Sequence, residues 1–345
     1  MRIYKWLFIL FFSIISFSCA TTNTIYEYAN RPSPKEIEKI EPSIRYKLFA
    51  GIVKSMDGKS IWGQDAEHMA AYFTNLDQSK RLIVPKKIRK GFTVLETKIN
   101  NRSCYLVEPK TNQRSDKVVF FLHGGGFVFE IDFFHWDAVE KIADTLSVPV
   151  FVPMYPVYPE NNPDSIMQFV IDAYTKLRMD FPDAEITLLG DSSGADLSLS
   201  LCHYLIKNTI DVPLPDKIIC VSPAMLFGLD DDILKEMKKI EPTDVVFSMK
   251  MMESLPALFD LSVDSVEYFA TPLYGDFTQF PPLYVFSGTA EIFYPQVPLF
   301  VERVKEQGKQ IEFYSGYKLM HGWPFMPLAP ESKKGFAIIL DIIAK

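Results

Sequence analysis

The sequence predicts an α/β protein whose mostly parallel central sheet is covered by helices on both faces. From residue 117 onward, short apolar runs alternate with segments of helical periodicity, which is the order expected of β-α-β units. The first of these runs is apolar throughout, as is typical of strands that are buried on both faces. With 345 residues, 48% of them hydrophobic, the chain is long enough to bury such a sheet.

The expected elements follow one another in a regular order. Residues 30–90 are expected to be mostly helical, with a helix start near Pro34 and a second helix over residues 64–76. Alternating patterns then predict a pair of antiparallel strands at residues 92–99 and 103–107. The further expected strands are residues 118–122, 148–152, 186–189, 217–221, 283–286 and 311–314. The further expected helices are residues 164–179, 195–206, 296–306 and 336–344.

One segment interrupts this order. Residues 225–280 are rich in Met and Phe and contain three consecutive Asp residues. We interpret this segment as a helical insertion on top of the sheet. The expected organisation is a leader (1–18), a linker with a helical cap segment (19–90) and one α/β domain (91–345) that contains the insertion.

Charge and cysteine content exclude several classes of protein. The 36 basic and 43 acidic residues give a formal net charge of −7, which argues against nucleic acid or an anionic membrane surface as the main partner. Four Cys in a chain of this length cannot form a disulfide scaffold. We expect Cys104, Cys202 and Cys220 to be buried free thiols, and their spacing predicts no metal site.

The N-terminus has the pattern of an export signal. Arg2 and Lys5 precede an apolar run over residues 6–17, which is shorter than the roughly 20 residues that span a bilayer as a helix. Cys19 ends a sequence similar to the lipobox of bacterial lipoproteins, and would then be the lipidated first residue. Cleavage after Ala20 by ordinary signal peptidase is the alternative. Both interpretations predict export, to the cell envelope or beyond.

A Gly-x-Ser-x-Gly motif provides a candidate nucleophile. Residues 190–194 read Gly-Asp-Ser-Ser-Gly and stand between an apolar strand and an apolar helix, the context that a nucleophile elbow requires. In such a sharp turn, side chains at Gly190 and Gly194 would collide with neighbouring backbone. The turn presents the Ser192 hydroxyl above the sheet, at the positive end of the following helix. An ordinary Gly/Ser turn is the alternative.

A glycine-rich loop directly follows the strand at residues 118–122. Residues 123–127 read His-Gly-Gly-Gly-Phe, and successive glycines allow backbone N–H groups to converge on one point, as an oxyanion hole requires. A glycine turn that packs against a helix is the alternative. A phosphate-binding loop fits less well, because Phe129 stands where the last Gly of Gly-x-Gly-x-x-Gly would be.

A general base and an orienting acid are expected later in the chain, in the order Ser, acid, His. Of the five His residues, only His321 lies after the last predicted strand. Glu291 lies just past the preceding strand, whereas Asp276 lies before it. The sequence therefore predicts His321 as base and Glu291 as acid.

Several ordered motifs resemble the hormone-sensitive-lipase-like branch of the α/β-hydrolases over roughly residues 90–345. They are the glycine loop, Tyr-Pro-Val-Tyr-Pro-Glu at 155–160 (similar to that branch's Tyr-Arg-Leu-Ala-Pro-Glu), Gly-Asp-Ser-Ser-Gly-Ala at 190–195, Thr-Pro-Leu at 271–273 followed by two Pro at 281–282, and His-Gly at 321–322. The departures are Ala195 in place of Gly, Met154 and Val157 near the second motif, and Glu291 in place of Asp.

The resemblance implies a catalytic machinery residue by residue. Ser192 would be the nucleophile, His321 the base and Glu291 the acid. The oxyanion donors would be the N–H groups of three residues, Gly125, Gly126 and Ser193. The acyl pocket would be shaped by the cap and by aromatic side chains, for which Phe127, Phe129 and Trp323 are candidates by position, although each would serve equally well in a core.

The function implied is that of an exported or lipid-anchored serine hydrolase that cleaves carboxylic esters of short to medium acyl chains. It would need no metal or organic cofactor, and its partner would be a small-molecule ester. Contact with a membrane is expected only through a lipid on Cys19. An amidase, deacetylase or peptidase using the same triad is the alternative. A non-catalytic binding module is disfavoured, because all three triad roles have a candidate.

Overall fold

An eight-stranded sheet forms the centre of the molecule. The computed structural model describes residues 41–111, 114, 116–225, 229, 231–259 and 272–345. The strands are β1 Thr93–Ile99, β2 Arg102–Glu108, β3 Lys117–Leu122, β4 Val150–Pro153, β5 Glu185–Asp191, β6 Lys217–Val221, β7 Leu283–Gly288 and β8 Ile311–Gly316. Their order across the sheet is β1-β2-β4-β3-β5-β6-β7-β8.

The sheet is parallel from β4 to β8 and antiparallel at one edge. β1 pairs antiparallel with β2, and β2 pairs antiparallel with β4, whereas all other neighbours are parallel. Strands β3, β4 and β6 are buried along their whole length, as expected for apolar runs covered on both faces. The predicted α/β architecture and its antiparallel strand pair are therefore confirmed.

Eleven α-helices lie within the described residues. They are α1 Ile44–Ser55, α2 Gly58–Trp62, α3 Ala66–Thr74, α4 Lys86–Gly91, α5 Phe133–Leu146, α6 Pro163–Asp180, α7 Ser193–Lys207, α8 Asp231–Ile240, α9 Lys250–Leu258, α10 Gln296–Glu306 and α11 Pro330–Ala344. None of the helices in these ranges is long and apolar enough to cross a membrane.

Helices α5 and α11 differ from the sequence prediction. α5 was not predicted, and it begins after the N-cap residue Asp132, whose carboxylate accepts the N–H groups of Phe134 and His135. α11 begins six residues earlier than expected, because Pro330 occupies its first position, where the missing N–H costs nothing.

The N-terminal helices contact the segment that follows β6. Helix α9 packs against α3, and the Ser254 hydroxyl donates a hydrogen bond to the Gln64 carbonyl at 2.8 Å. Part of the predicted insertion, at residues 226–228, 230 and 260–271, lies outside the described residues, as does the helix start predicted near Pro34. Cys104, Cys202 and Cys220 are buried and free, as predicted.

Candidate active site

Ser192 stands at the sharp turn between β5 and α7. Its backbone has φ 51° and ψ −125°, a conformation that costs energy in any residue with a side chain. The Ser192 N–H donates to the Val221 carbonyl at 2.8 Å, which holds the turn against β6. A Cβ on Gly190 would overlap the backbone of Gly194, and a Cβ on Gly194 would overlap the backbone at the end of β3. The close approach expected from the sequence is therefore present.

The glycine loop after β3 is wound so that several N–H groups are free. The carbonyl of Gly125 accepts hydrogen bonds from the N–H groups of Val128 and Phe129 at 3.1 and 2.9 Å, and both Gly125 and Gly126 have positive φ. Within the described residues, the N–H groups of Gly125 and Gly126 bind no acceptor, and Ser193 opens a helix, where the first N–H has none. These three donors are available to an oxyanion.

Glu291 and His321 meet beyond the ends of β7 and β8. Glu291 is fully buried, and one of its carboxylate oxygens accepts hydrogen bonds from the Ser287 hydroxyl and the Gly288 N–H. The other oxygen lies 2.5 Å from Nδ1 of His321. Nε2 of His321 is buried and has no partner among the described residues. The ring thus presents one free nitrogen and is oriented through the other.

The electrostatic surroundings favour the protonated form of His321. Burial alone lowers the pKa of this imidazole, but the carboxylates of Glu291, Asp244 and Asp191 raise it, and the net pKa lies above the ordinary value. An imidazolium formed at this position during a reaction is therefore stabilised by its neighbours.

Two consecutive residues at the end of β6, Val221 and Ser222, connect the Ser192 turn with the His321 loop. Val221 accepts the Ser192 N–H at 2.8 Å, and the hydroxyl of Ser222 accepts the Gly322 N–H at 2.9 Å. The backbone on each side of the site is thus fixed to one short stretch of chain.

The buried imidazole of His135 lies behind the glycine loop between two carboxylates, the buried Asp191 and the half-buried Asp132. Asp191, which precedes the candidate nucleophile, accepts the Gly124 N–H at 3.0 Å and contacts Nε2 of His135 at 3.2 Å. Nδ1 of His135 lies 2.9 Å from Asp132. Burial lowers the pKa of His135, but the two carboxylates outweigh it and raise the pKa to about 10. His135 is therefore a cation at neutral pH. It links α5 to Asp191 and, through Asp191, to the glycine loop.

The glycine loop is also held from its outer side by the segment between α3 and α4. Gln78 donates to the Val128 carbonyl at 2.8 Å and accepts the Glu130 N–H at 2.9 Å. Arg81 donates to the Glu130 carbonyl at 3.2 Å and lies over the Phe129 ring at 5.5 Å. The N-terminal segment is thus part of the structure that positions this loop.

The three aromatic residues proposed for the pocket lie in different places. Phe127 is buried and makes an edge contact with Phe259, and Phe129 is half-buried on the side of the N-terminal helices. Trp323 is fully buried, and its ring occupies the space that side chains at Gly316 and Gly335 would need. Its neighbours therefore favour a core role for Trp323 under α11.

Two further aromatic residues reach the site, Trp62 from the end of α2 and Phe247 from the loop between α8 and α9. The Trp62 ring lies 2.7 Å from where a Cβ of Gly126 would stand, so that Gly126 is required by the close approach of an aromatic side chain as well as by its positive φ. Phe247 packs edge-on against His321 with ring centroids 4.8 Å apart, and it also contacts Trp62 at 5.6 Å and Phe293 at 5.0 Å. Neither Trp62 nor Phe247 was predicted from the sequence.

A second buried carboxylate fixes Phe247 to the loop that carries the acid. Asp244 accepts hydrogen bonds from the N–H groups of Val246 and Phe247, at 2.7 and 2.9 Å, and from the Ile292 N–H at 2.8 Å. Burial raises the pKa of Asp244, although these three N–H groups lower it. Phe247 and the loop that carries Glu291 are thus held by the same side chain.

The described residues contain no cluster of His, Cys, Asp or Glu that could hold a metal ion. The predicted lipidation residue, Cys19, lies outside the described part of the chain.

Comparison with known proteins gives a family match and several relatives. A family model described as alpha/beta hydrolase fold matches residues 119–325. The chain is similar to an acetyl-hydrolase from Streptomyces hygroscopicus, with 22% identity over 66% of this chain and 75% of that protein. It is also similar to an esterase from Acinetobacter venetianus, with 24% identity over 68% of this chain and 77% of that protein.

Solved structures share the fold. An esterase from the bacterial hormone-sensitive lipase family superposes with a TM-score of 0.70 at 20% identity, covering 88% of this chain and 99% of that one. Esterase E25 superposes with a TM-score of 0.69 at 22% identity, covering 92% and 98% of the two chains.

Proposed function

The chain belongs to the α/β-hydrolase family and is a hormone-sensitive-lipase-like hydrolase of the carboxylesterase and lipase type. We propose that it cleaves carboxylic esters through Ser192, His321 and Glu291. The observation that carries this proposal is the orientation of His321. One ring nitrogen contacts the buried Glu291 carboxylate, and the other is buried and free to accept a proton.

The proposed reaction begins at the Ser192 hydroxyl. Its oxygen attacks the ester carbonyl while Nε2 of His321 takes its proton, and Glu291 holds the ring in the required tautomer and stabilises the imidazolium. His321 then returns the proton to the departing alcohol. Water enters, loses a proton to the same nitrogen and hydrolyses the acyl-enzyme, which restores Ser192.

Negative charge on the carbonyl oxygen would be stabilised by backbone donors. The free N–H groups of Gly125, Gly126 and Ser193 support this role, because none of them binds an acceptor within the described residues. Removal of a single oxyanion donor in hydrolases costs about 3–4 kcal/mol of barrier, so three preorganised donors represent a large share of the rate enhancement.

The proposed substrates are esters of short to medium acyl chains. Support comes from three aromatic side chains, Trp62, Phe247 and Phe293, which form an aromatic wall in contact with His321. Ser192 itself is only 7% exposed. Such a wall favours an apolar acyl group of limited size. We further propose that the protein is exported and that a lipid on Cys19 anchors it, on the basis of the apolar leader alone.

Replacement of Ser192 tests the proposal. Ser192→Ala is expected to lower hydrolysis of p-nitrophenyl butyrate by about 10⁴-fold or more with the fold retained, because the substitution removes only the attacking oxygen and keeps the backbone of the turn. Ser198→Ala on the same helix is the matched control, since the Ser198 hydroxyl binds only the Gly194 carbonyl. Equal turnover by Ser192→Ala and wild type would overturn the assignment.

Substrate panels distinguish ester from amide hydrolysis. Parallel assays with p-nitrophenyl esters, the matching anilides and acetylated sugars are expected to give turnover with the esters far above the others. Preference for an anilide or an acetyl sugar would instead favour an amidase or a deacetylase with the same triad.

A further inference from the structure

Helix α1 carries an apolar stripe that faces solvent. Ile44, Leu48, Ile52 and Met56, the last at the end of the helix, are 77%, 66%, 41% and 54% exposed. A spacing of four places one of these side chains on each successive turn of the same face. Isolated exposed apolar residues are ordinary, but a contiguous row of four indicates a surface that binds something.

The same helix is basic in an acidic protein. Arg45, Lys47 and Lys54 are exposed, and no acidic residue lies between Ile44 and Ser55. None of the three basic side chains forms an ion pair within the part of the chain that the structure describes. The whole chain, by contrast, has a net charge of −7. An apolar row flanked by lysines is the pattern of a helix that lies in the interface of an anionic bilayer.

The opposite face of α1 fixes the helix to the body of the protein. Tyr46 and Phe49 are buried, and the Tyr46 hydroxyl accepts a hydrogen bond at 2.5 Å from the N–H of Met320, next to His321. At the start of the helix, Ser43 donates two hydrogen bonds to the Glu331 carboxylate. These contacts hold the apolar stripe outward, so that rotation of the helix cannot bury it.

We propose that this face of α1 binds the surface of an anionic phospholipid bilayer. The narrow convex stripe suits shallow insertion between headgroups, and the lysines complement their charge. A second copy of the chain fits less well, because four side chains on one helix fall short of the roughly 800 Å² that each partner buries in a standard stable interface. The predicted anchor Cys19 lies 25 residues before Ile44 (44 − 19), close enough to keep the helix near the bilayer.

The contact would be the second attachment to the membrane, independent of the catalytic proposal. The acidic net charge of the whole chain disfavours binding to an anionic surface, but the basic residues of α1 make this one face locally positive. Because one face of α1 contacts lipid and the other contacts the loop that carries His321, binding would give the active site a fixed orientation relative to the bilayer.

Photo-crosslinking of the full chain tests the proposal at the level of single segments. The chain is mixed with phosphatidylglycerol–phosphatidylcholine vesicles that contain a phosphatidylcholine with a diazirine in its acyl chain, and the adducts are mapped by mass spectrometry. We expect adducts within residues 44–56. Adducts in the apolar leader are scored separately, so that the leader cannot mask or mimic the signal.

Paired variants make the result specific. Leu48→Glu with Ile52→Glu is expected to lower the yield of α1 adducts by about tenfold or more, since two carboxylates would have to enter the acyl region. Met179→Glu with Leu95→Glu, which changes two other exposed apolar residues by the same charge, should leave the yield within about twofold. Lys47→Gln with Lys54→Gln should lower the yield with phosphatidylglycerol present and leave it unchanged with phosphatidylcholine alone.

Three results would overturn the proposal. The first is an absence of α1 adducts in a chain that is folded by circular dichroism. The second is an equal yield from the Leu48/Ile52 variant. The third is evidence that protein covers the stripe. Such evidence would be a wild-type dimer in sedimentation that the Leu48/Ile52 variant no longer forms, or a melting temperature of that variant below that of the wild type. The milder pair Leu48→Gln with Ile52→Gln repeats the test if the glutamates prevent folding.

Discussion

The acid–base half of the candidate site and its oxyanion half are held in place in different ways. His321 is oriented by one side-chain hydrogen bond, to Glu291, and by edge contacts with Phe247 and Phe293. The glycine loop is positioned from behind by Asp191, which contacts the charged His135, and from outside by Gln78. A substitution in the acid–base half is therefore expected to prevent proton transfer by His321. A substitution in the oxyanion half is expected to leave proton transfer possible but to displace the backbone N–H groups of the glycine loop.

The largest effect is expected in the first half, for Glu291→Gln. The amide cannot stabilise the imidazolium and permits the wrong tautomer of His321, so kcat/KM for p-nitrophenyl butyrate should fall about 10⁴-fold. Glu312→Gln, an exposed position on β8, is the control and should retain activity. If Glu291→Gln retains most of the activity, another carboxylate orients His321, and Asp244 is the nearest candidate by its electrostatic effect.

The pH dependence of kcat/KM tests the same half. His321 must be neutral to accept a proton, so activity is lost as the pH falls through its pKa. Because the neighbouring carboxylates raise that pKa, the acidic limb should lie above 6.5. In Glu291→Gln the residual activity should show its acidic limb at lower pH. Burial lowers the pKa of His321, and the Glu291 carboxylate that counteracts this effect is then absent. A limb that stays in place would contradict this role of Glu291.

A smaller effect is expected from His135→Gln in the oxyanion half. Loss of the cation leaves Asp132 and Asp191 less well compensated, and the displaced glycine loop should lower kcat by about 10- to 100-fold with little change in KM. His203→Gln, a half-buried His on α7 that contacts Phe277 and Phe280, is the control and should leave kcat within about twofold. An unchanged kcat in His135→Gln would show that the loop is positioned without it.

The same variant should change the pH dependence of stability. The pKa of His135 is raised to about 10 in the folded protein, so its stabilising contribution is complete below about pH 6.5 and is lost as the pH rises towards 10. Urea unfolding of the wild type should show this loss, and the variant should show a flatter profile over the same range. Parallel profiles would contradict the charged state of His135.

The smallest effect is expected at the aromatic wall. Trp62→Phe retains an aromatic ring, but the smaller ring no longer reaches Gly126. Because this change affects the wall and not the reacting groups, KM for p-nitrophenyl butyrate should rise about 2- to 5-fold with kcat nearly unchanged. Trp136→Phe, at a buried position on α5 that packs against Tyr105, should leave KM unchanged. A fall in kcat without a change in KM would assign Trp62 to the oxyanion side.

The sequence was most informative where a local pattern suffices. The parallel strands were predictable because each is a short, mostly apolar run, and three of them, β3, β4 and β6, are buried along their whole length. The glycines of the Ser192 turn were predictable because the turn requires close approach between residues four apart. Helix α5 was missed because its first turn, Phe133 to Trp136, consists of weak helix formers, and because His135 stands three residues after the N-cap Asp132, where a recognisable helix start has Glu or Gln.

Contacts between distant segments were not predictable. Trp62 and Phe247 come from different helical regions and meet at Gly126 and His321 only in the folded chain. Gly126 was a signal that something approaches the loop closely, but it does not identify the partner. The pKa of His135 likewise depends on two carboxylates, Asp132 and Asp191. Asp132 is a neighbour in sequence, but Asp191 lies at the end of β5 and meets His135 only in the folded chain.

Mapping of a covalent adduct tests the central claim most directly. A fluorophosphonate reacts only with an activated serine, so incubation with wild-type protein, followed by digestion and mass spectrometry, should give one adduct on Ser192. In His321→Ala the rate of labelling should fall by about 10³-fold or more, because the base is absent. An adduct on another serine, no adduct at all, or equal labelling of His321→Ala would contradict the account.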